Sequence, residues 1–219
     1  MTHRIGLVIF DCDGVLVDSE RLSIPLDVEL LAQLGWPLTE ADVIERFVGR
    51  TDAAMRAEIE ARVGRDIGPE WAAFAERYIR LFAAELQPVD GVAEAVEAIQ
   101  AAGYATCVAS SGDLAKIRRN LALTGLADRF DDRIFSADDV EHGKPAPDLF
   151  LHAAAALGVA SSRCAVVEDS VHGVEAALSA GMTVFAYAGG VTTADRLARP
   201  GVVVFDDMRR LLGLVAAAS

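Results

Sequence analysis

The feature that most constrains the fold is a repeated alternation of short apolar runs with helical patterns. Each run is rich in β-branched residues and is followed by a polar group and then a helical pattern. This order is typical of a parallel sheet, because connecting helices cross back over the sheet between strands. The runs predict strands at residues 5–10, 104–110, 163–169, 182–187 and 202–205. The intervening patterns predict helices at residues 91–102, 113–124, 147–157 and 171–180. We therefore predict an α/β core with a Rossmann-like, doubly wound parallel sheet.

One long interval interrupts this alternation. Between the first strand and the first predicted helix of the core, the sequence shows helical stripes and no strand pattern. One of these helices is predicted to begin at Thr39, with Asp42 as its capping-box partner. We therefore predict an inserted α-helical cap domain at residues 17–87. The Rossmann-like core is then formed by residues 1–16 and 88–219.

Apolar residues within this interval recur at helical spacing. Such stripes usually form the contacts between helices, so they are predicted to be the core of a small bundle rather than a ligand cage. The stripe with the most aromatic residues consists of Trp71, Phe74, Tyr78, Leu81 and Phe82.

The charge balance limits the partners of the chain. Thirty-three acidic and 20 basic residues give a net charge of −13, which repels a nucleic-acid backbone unless a basic face overcomes it. The richest basic cluster, Lys116, Arg118 and Arg119, is predicted to be a solvated surface. No stretch approaches the roughly 20 uncharged residues that cross a bilayer. We therefore expect neither a nucleic-acid nor a membrane partner.

The N-terminal segment and the cysteines indicate the compartment. Residues 1–14 reach acidic residues early and lack a small-residue cleavage site, so no signal peptide is predicted. Cys12, Cys107 and Cys164 are odd in number and lie in apolar runs, which is typical of reduced core thiols. We expect a cytoplasmic protein.

Polar and charged residues follow three of the predicted strands. In an open parallel sheet, ligands bind beyond the carboxyl ends of the strands, so these residues should converge. A cluster of carboxylates needs a cation, and Mg²⁺ suits it because this ion prefers oxygen ligands and shares carboxylates with phosphate. The residues are Asp11 and Asp13 after the first strand, Ser110, Ser111 and Gly112 after the second, Glu168 and Asp169 at the third, and Lys144 from a nearby loop.

The acidic residues of this cluster have distinct predicted roles. Asp11 and Asp169 are the expected side-chain ligands of Mg²⁺, with Asp13 contributing its backbone carbonyl and Glu168 nearby. Asp11 is expected to be ionised at neutral pH and to attack phosphorus, forming an aspartyl phosphate. Asp13 would protonate the leaving oxygen and later take a proton from the incoming one.

Phosphate is expected to bind beside these carboxylates. Ser110, with Ser111 and the amides that follow Gly112, predicts an anion nest. Lys144 supplies a positive charge that binds phosphate and stabilises the anionic form of Asp11. From the cap, Arg50 and Glu20 are candidate substrate contacts, although each fits a solvated charge equally well.

Four motifs in order resemble those of the haloacid dehalogenase-like phosphatase superfamily. They are DCDGVLVDSE at 11–20, VASSG at 108–112, GKPAPD at 143–148 and VVEDSVHGVEAALSAGM at 166–182. The resemblance covers essentially the whole chain. It is specifically to the branch with a helical cap after the first strand, which is the β-phosphoglucomutase and phosphoglycolate phosphatase group. It implies a magnesium-dependent phosphotransferase with the roles given above for Asp11, Asp13, Ser110, Lys144 and Asp169. Dehalogenases of this superfamily lack the second aspartate, so Asp13 argues against dehalogenation.

The resemblance leaves open which acceptor takes the phosphoryl group. Transfer to water would make a phosphatase of sugar phosphates or similar small phosphomonoesters, and transfer to a sugar hydroxyl would make a β-phosphoglucomutase-type mutase. The mutases of this group carry a histidine, a lysine and an arginine in the cap, where this chain has Ser23, Phe74 and either Thr51 or Asp52. These differences favour the phosphatase.

A non-catalytic sensor of a phosphorylated metabolite is the alternative from another class. A chain that only bound its ligand would have little reason to keep Asp11, Asp13, Lys144 and Asp169 together. We therefore expect an enzyme that acts on a small phosphorylated metabolite, and we expect it to be a monomer because the insert already covers the site.

Overall fold

The computed structural model describes residues 5–219 and contains one six-stranded parallel sheet. Its strands are β1 (Leu7–Phe10), β2 (Ala105–Ser110), β3 (Ile134–Ser136), β4 (Cys164–Glu168), β5 (Thr183–Tyr187) and β6 (Val202–Phe205). Their order is β3-β2-β1-β4-β5-β6, so the chain runs outward from β1 on both sides. This order confirms the predicted doubly wound α/β fold. Residues 1–4, which belong to the segment used to predict the compartment and to the first part of the predicted core, lie outside the described range.

Helices cover both faces of the sheet, and the four helices predicted for the core are all present. The helices packed with the sheet, which together with it we call the sheet domain, are α5 (Val92–Ala101), α6 (Leu114–Leu123), α7 (Asp148–Ala156), α8 (Val171–Ser179), α9 (Ala194–Leu197) and α10 (Leu211–Ala217). Between β1 and α5 lie α1 (Glu20–Gln33), α2 (Glu40–Phe47), α3 (Asp52–Val63) and α4 (Gly68–Glu85).

Alternation along β1 shows how the sheet is buried. Leu7 and Ile9 belong to the apolar cluster on one face, whereas Val8 and Phe10 belong to the cluster on the other. Successive side chains of a strand point to opposite faces, so a strand covered on both sides must be apolar throughout. This is why the strands are visible in the sequence as uninterrupted apolar runs.

The edge strand β3 is missing from the sequence-based prediction. It has three residues, and of these only Ser136 is fully buried, while Ile134 and Phe135 are half-buried. An edge strand pairs on one side alone, so it needs no continuous apolar run. The sequence also gave no prediction for α9 and α10.

Helices α1–α4, which we call the four-helix segment, have an apolar cluster of their own. Ile24, Leu31 and Ile59 are among its buried residues. The predicted capping box of α2 is present, since the Thr39 N–H donates to Asp42 Oδ2 at 2.9 Å and the Asp42 N–H donates to Thr39 Oγ1 at 3.2 Å. The division of the chain at residues 17 and 87 stays a prediction.

Within residues 5–219, no helix combines the length and the apolar character needed to cross a membrane.

Candidate active site

The carboxyl edge of the sheet brings the predicted acidic residues together. Phe10 pairs with Val108 of β2 and with Val167 of β4, so the residues that follow these three positions lie side by side. The Asp11 N–H donates to the Val167 carbonyl at 3.0 Å, which extends β1 by one residue. Asp11, Ser110, Glu168 and Asp169 are all buried at this edge.

Lys144 lies beneath this edge and joins two of the carboxylates. Its Nζ donates to Asp11 Oδ1 at 2.6 Å, to Glu168 Oε1 at 2.6 Å and to the Ala109 carbonyl at 3.3 Å. These three acceptors match the three donors of an ammonium group, and the Lys144 side chain is 0% exposed. Burial alone would lower the pKa of Lys144, but Asp11 and Glu168 raise it above its usual value. Lys144 is therefore a fixed positive charge.

Three carboxylates lie close enough to share a cation. One oxygen each of Asp11, Glu168 and Asp169 lies within 4.8 Å of the other two. Asp169 Oδ2 and Asp13 Oδ1 are buried, and the described residues offer neither atom a hydrogen-bond partner. Buried oxygens without partners are costly unless something positive binds them. The donor set is all oxygen and therefore fits Mg²⁺.

The same crowding changes how Asp11 titrates. Burial raises the pKa of Asp11 to about 7, although Lys144 opposes this shift, and burial also raises the pKa of Asp169 well above its usual range. The protein's own groups therefore leave part of the Asp11 side chains protonated at neutral pH, and the predicted ionised form depends on a cation as well as on Lys144. A bound cation would favour the anion.

Two glycines leave room for these carboxylates. A Cβ on Gly14, whose φ is +77°, would lie 2.0 Å from Asp169 Oδ2. A Cβ on Gly173, in the first turn of α8, would lie 1.8 Å from Glu168 Oε1. Neither position accepts a larger residue without displacing a carboxylate of the site.

We expect Gly173→Ala to destabilise the protein by about 1–3 kcal/mol, because the added methyl group displaces the buried Glu168 carboxylate. A glycine-to-alanine change inside a helix usually stabilises by up to about 1 kcal/mol. Gly213→Ala is the matched control, because Gly213 is an exposed residue of α10 with no atom within 4 Å of the added Cβ. Urea denaturation should give shifts of opposite sign for the two variants. Stabilisation by both would contradict the close contact at Gly173.

The serines of the predicted anion nest also make contacts within the protein. Ser110 is buried, and its Oγ accepts from the Gly112 N–H at 3.3 Å. Ser111, predicted to bind phosphate, donates its hydroxyl to the Gly49 carbonyl at 2.8 Å. His172 Nδ1 donates to the neighbouring Val48 carbonyl at 3.1 Å. These two contacts join the four-helix segment to the sheet domain beside the carboxylates.

Arg50 and Lys116 differ from their predicted environments. Arg50 lines the site. Its guanidinium, which was predicted to contact substrate, donates a hydrogen bond to Glu58 Oε2 at 2.5 Å. Lys116 was predicted to be solvated, yet its Nζ lies 3.6 Å from Asp13 Oδ2 and 3.8 Å from Asp52 Oδ1. The charge of Asp13 raises the pKa of Lys116. Lys116 and Lys144 are the only two lysines of the sequence, and all its other basic residues counted as charged are arginines. This rarity is a sequence signal that could have identified both as site residues.

A cavity of about 230 Å³ lies between the carboxylates and the four-helix segment. Its walls include Trp71, Phe74, Tyr78 and Phe82 of α4, so the stripe predicted to form a helical core also contacts the cavity. Phe74 and Phe82 do belong to apolar clusters, but the same side chains also face the cavity. A helical stripe does not reveal whether its partner is another helix or a space.

The comparisons with known proteins agree with this arrangement. The family model for haloacid dehalogenase-like hydrolases matches residues 5–181. The 6-phosphogluconate phosphatase of Escherichia coli K12 is 34% identical over 188 residues, which cover 83% of this chain and 82% of that protein. Hexitol phosphatase B of the same strain is 32% identical over 185 residues, covering 82% of each chain. The crystal structure of a conserved haloacid dehalogenase-like protein from Agrobacterium tumefaciens C58 has a TM-score of 0.78 and 34% identity, covering 97% of this chain and 98% of that one.

A plant relative is much longer. The chloroplastic SUPPRESSOR OF QUENCHING 1 protein of Arabidopsis thaliana is 37% identical over 184 residues, and the match spans 82% of this chain but 17% of that protein.

Proposed function

This chain belongs to the haloacid dehalogenase-like hydrolases and is a hydrolase of phosphoric monoesters; from this premise we propose that it releases phosphate from small phosphorylated sugars, with Asp11 as nucleophile and Mg²⁺ as cofactor. One observation carries the proposal. Asp11 is held between the buried Lys144 and a pair of carboxylates, at the floor of the cavity. An ion pair with only a structural role would not explain why two further buried oxygens, Asp13 Oδ1 and Asp169 Oδ2, have no hydrogen-bond partner among the described residues.

The residues divide the reaction into two displacements. An oxygen of Asp11 attacks phosphorus, the ester P–O bond breaks, and Asp13 gives a proton to the leaving oxygen. Asp13 then takes a proton from water as that water attacks phosphorus, and the bond between phosphorus and Asp11 breaks to release phosphate. Lys144 orients Asp11 throughout, because their contact fixes Oδ1.

The described hydrogen bonds support a distinction between direct and indirect metal ligands. Glu168 Oε1 accepts from Lys144, and Oε2 accepts from the Ser170 N–H and Oγ at 2.9 Å each. Both oxygens of Glu168 are therefore engaged, whereas Asp169 Oδ2 is not. We propose that Asp11 and Asp169 hold Mg²⁺ directly, with the Asp13 carbonyl, and that Glu168 acts through water. When bound, Mg²⁺ would neutralise charge on the phosphoryl oxygens.

Binding of phosphate is proposed at Ser110 and at the amides that follow Gly112. Lys116 adds a second positive charge above Asp13. A cytoplasmic monomer is proposed as well. The cytoplasmic location is supported by Cys12, Cys107 and Cys164, which are all free and buried, as expected in a reducing compartment.

We expect phosphate release from hexose phosphates to fall at least about 100-fold when EDTA removes divalent cations, and to return when excess Mg²⁺ is added. The measurement is inorganic phosphate released from a panel of sugar phosphates. Turnover that resists the chelator would contradict the metal's role. A parallel coupled assay would follow the formation of glucose 6-phosphate from β-glucose 1-phosphate. Isomer formed without free phosphate would favour the mutase, and binding without any turnover would favour the sensor.

A further inference from the structure

One face of α1 forms a polar wall of the cavity. Glu20, Ser23 and Asp27 are spaced by three and four residues, so they lie on the same side of the helix. The Ser23 hydroxyl donates to Glu20 Oε2 at 3.2 Å, and the Tyr78 hydroxyl from α4 donates to Asp27 Oδ1. All four residues line the cavity above Asp11. The wall therefore presents two carboxylates held in place by neighbouring hydroxyl groups.

The positive charges of the cavity are mostly neutralised. Arg50 is paired with Glu58, Lys116 lies between Asp13 and Asp52, and Lys144 is covered by Asp11. Within the described part of the chain, Arg119 is the one lining cation that has no ion-pair partner, and it lies on α6 rather than on α1 or α4.

Apolar side chains form much of the remaining cavity wall. They include Leu30, Val43, Phe47, Met55 and Phe74. Apolar surroundings strengthen charge–charge interactions by lowering the local dielectric. A negative charge on the substrate's leaving group would thus meet carboxylates with little screening, whereas hydroxyl or ammonium groups could donate hydrogen bonds to them.

We propose that the cavity selects phosphate esters whose leaving group carries hydrogen-bond donors and no negative charge, and that Asp27 and Glu20 receive those donors. This rests on the proposed function and narrows it to neutral or amino sugar and polyol phosphates. Sugar-acid phosphates and bisphosphates would be rejected. In this respect the chain would differ from its 34% identical relative, which is named for 6-phosphogluconate.

The test compares three hexose phosphates that differ at the end remote from phosphate. Glucose 6-phosphate is neutral there, glucosamine 6-phosphate carries an ammonium group, and 6-phosphogluconate carries a carboxylate. p-Nitrophenyl phosphate serves as a reference for the chemistry. The assays are run with Mg²⁺ at pH 8, because burial raises the pKa of Asp27 to about 7 and that of Glu20 to about 8, so that Asp27 is mostly ionised and Glu20 about half ionised. We expect kcat/KM for the first two substrates to exceed that for 6-phosphogluconate by at least about 30-fold.

Two substitutions that each remove one negative charge test whether the selectivity comes from Asp27. Asp27→Asn should reduce the gap between glucose 6-phosphate and 6-phosphogluconate at least about fivefold. Glu29→Gln is the matched control, because Glu29 is an exposed residue of the same helix that pairs with Arg77 outside the cavity. This control should leave the gap unchanged. The wild-type comparison stands without either variant, so a poorly folded Asp27→Asn protein does not remove the test.

The outcomes separate this inference from the function on which it rests. Release from p-nitrophenyl phosphate with 6-phosphogluconate equal to or better than the other sugars would overturn the selectivity and leave the phosphatase intact. If turnover of 6-phosphogluconate then fell in Arg119→Gln, Arg119 would bind the substrate's carboxylate, and the acidic wall would not set the selectivity. No release from any of the four esters would contradict the proposed function, and the selectivity with it.

Discussion

Asp11→Asn is expected to abolish phosphate release, lowering kcat by about 10⁴-fold or more. An amide oxygen carries no negative charge and is a poor nucleophile, so no acyl phosphate forms at this position. The measurement is single-turnover phosphate release at saturating substrate with Mg²⁺. A residual rate above about 1% of the wild type would show that another group attacks phosphorus, and would contradict the proposed mechanism.

The folded structure should survive this change. Asparagine has nearly the same shape as aspartate, and Lys144 keeps its contacts with Glu168 and with the Ala109 carbonyl. The raised pKa of Asp11 means that its ionised form costs stability, so at pH 8 without metal the variant should unfold at an equal or higher urea concentration. Asp128→Asn, at an exposed position remote from the cavity, is the matched control and should keep full activity.

The sheet domain and the acidic floor of the site were predictable from the sequence because both depend on the strands. A fully buried strand must be apolar, and the residue after its last apolar position must lie at the carboxyl edge. Asp11 and Asp169 were placed in this way, and the structure brings them together. The half-exposed edge strand β3 obeys neither condition and was missed.

The upper part of the site was not predictable in the same way. Lys116 and Tyr78 lie on helices, and their neighbours depend on how the four-helix segment packs against the sheet domain. Helical spacing shows which side chains share a face, but not what that face meets. The contacts that set this packing, such as Ser111 with the Gly49 carbonyl, join residues far apart in the chain and leave no local pattern.

Lys144→Met should cause the second large effect, a loss of about 3–5 kcal/mol in the free energy of unfolding at pH 8, because it leaves Asp11 and Glu168 buried without their shared cation. Phosphate release should fall at least about 100-fold, since Asp11 loses the contact that orients it. Lys144→Arg keeps the charge but cannot place a planar guanidinium where three acceptors surround one nitrogen. It should therefore lose most of the activity while losing less stability.

The pH dependence distinguishes this loss from a simple packing defect. Asp11 already has a folded-state pKa of about 7, above the value of about 3.9 expected in the unfolded chain. Removing the ammonium group raises that folded-state pKa further. The folded protein then binds more protons than the unfolded chain over a wider range of pH. Stability of the variant must then fall as pH rises above about 4, and its deficit should be smaller at pH 5.5 than at pH 8. Urea denaturation at these two pH values measures the difference.

Arg80→Met is the matched control, because Arg80 pairs with Glu76 at 3.5 Å where both side chains are mostly exposed. An exposed ion pair contributes at most about 1 kcal/mol, so this variant should lose little at either pH. If the Lys144→Met deficit were as small as that of the control, or equal at both pH values, Lys144 would not be the charge that makes the crowded carboxylates tolerable. The nucleophile would then owe its ionisation to the metal alone.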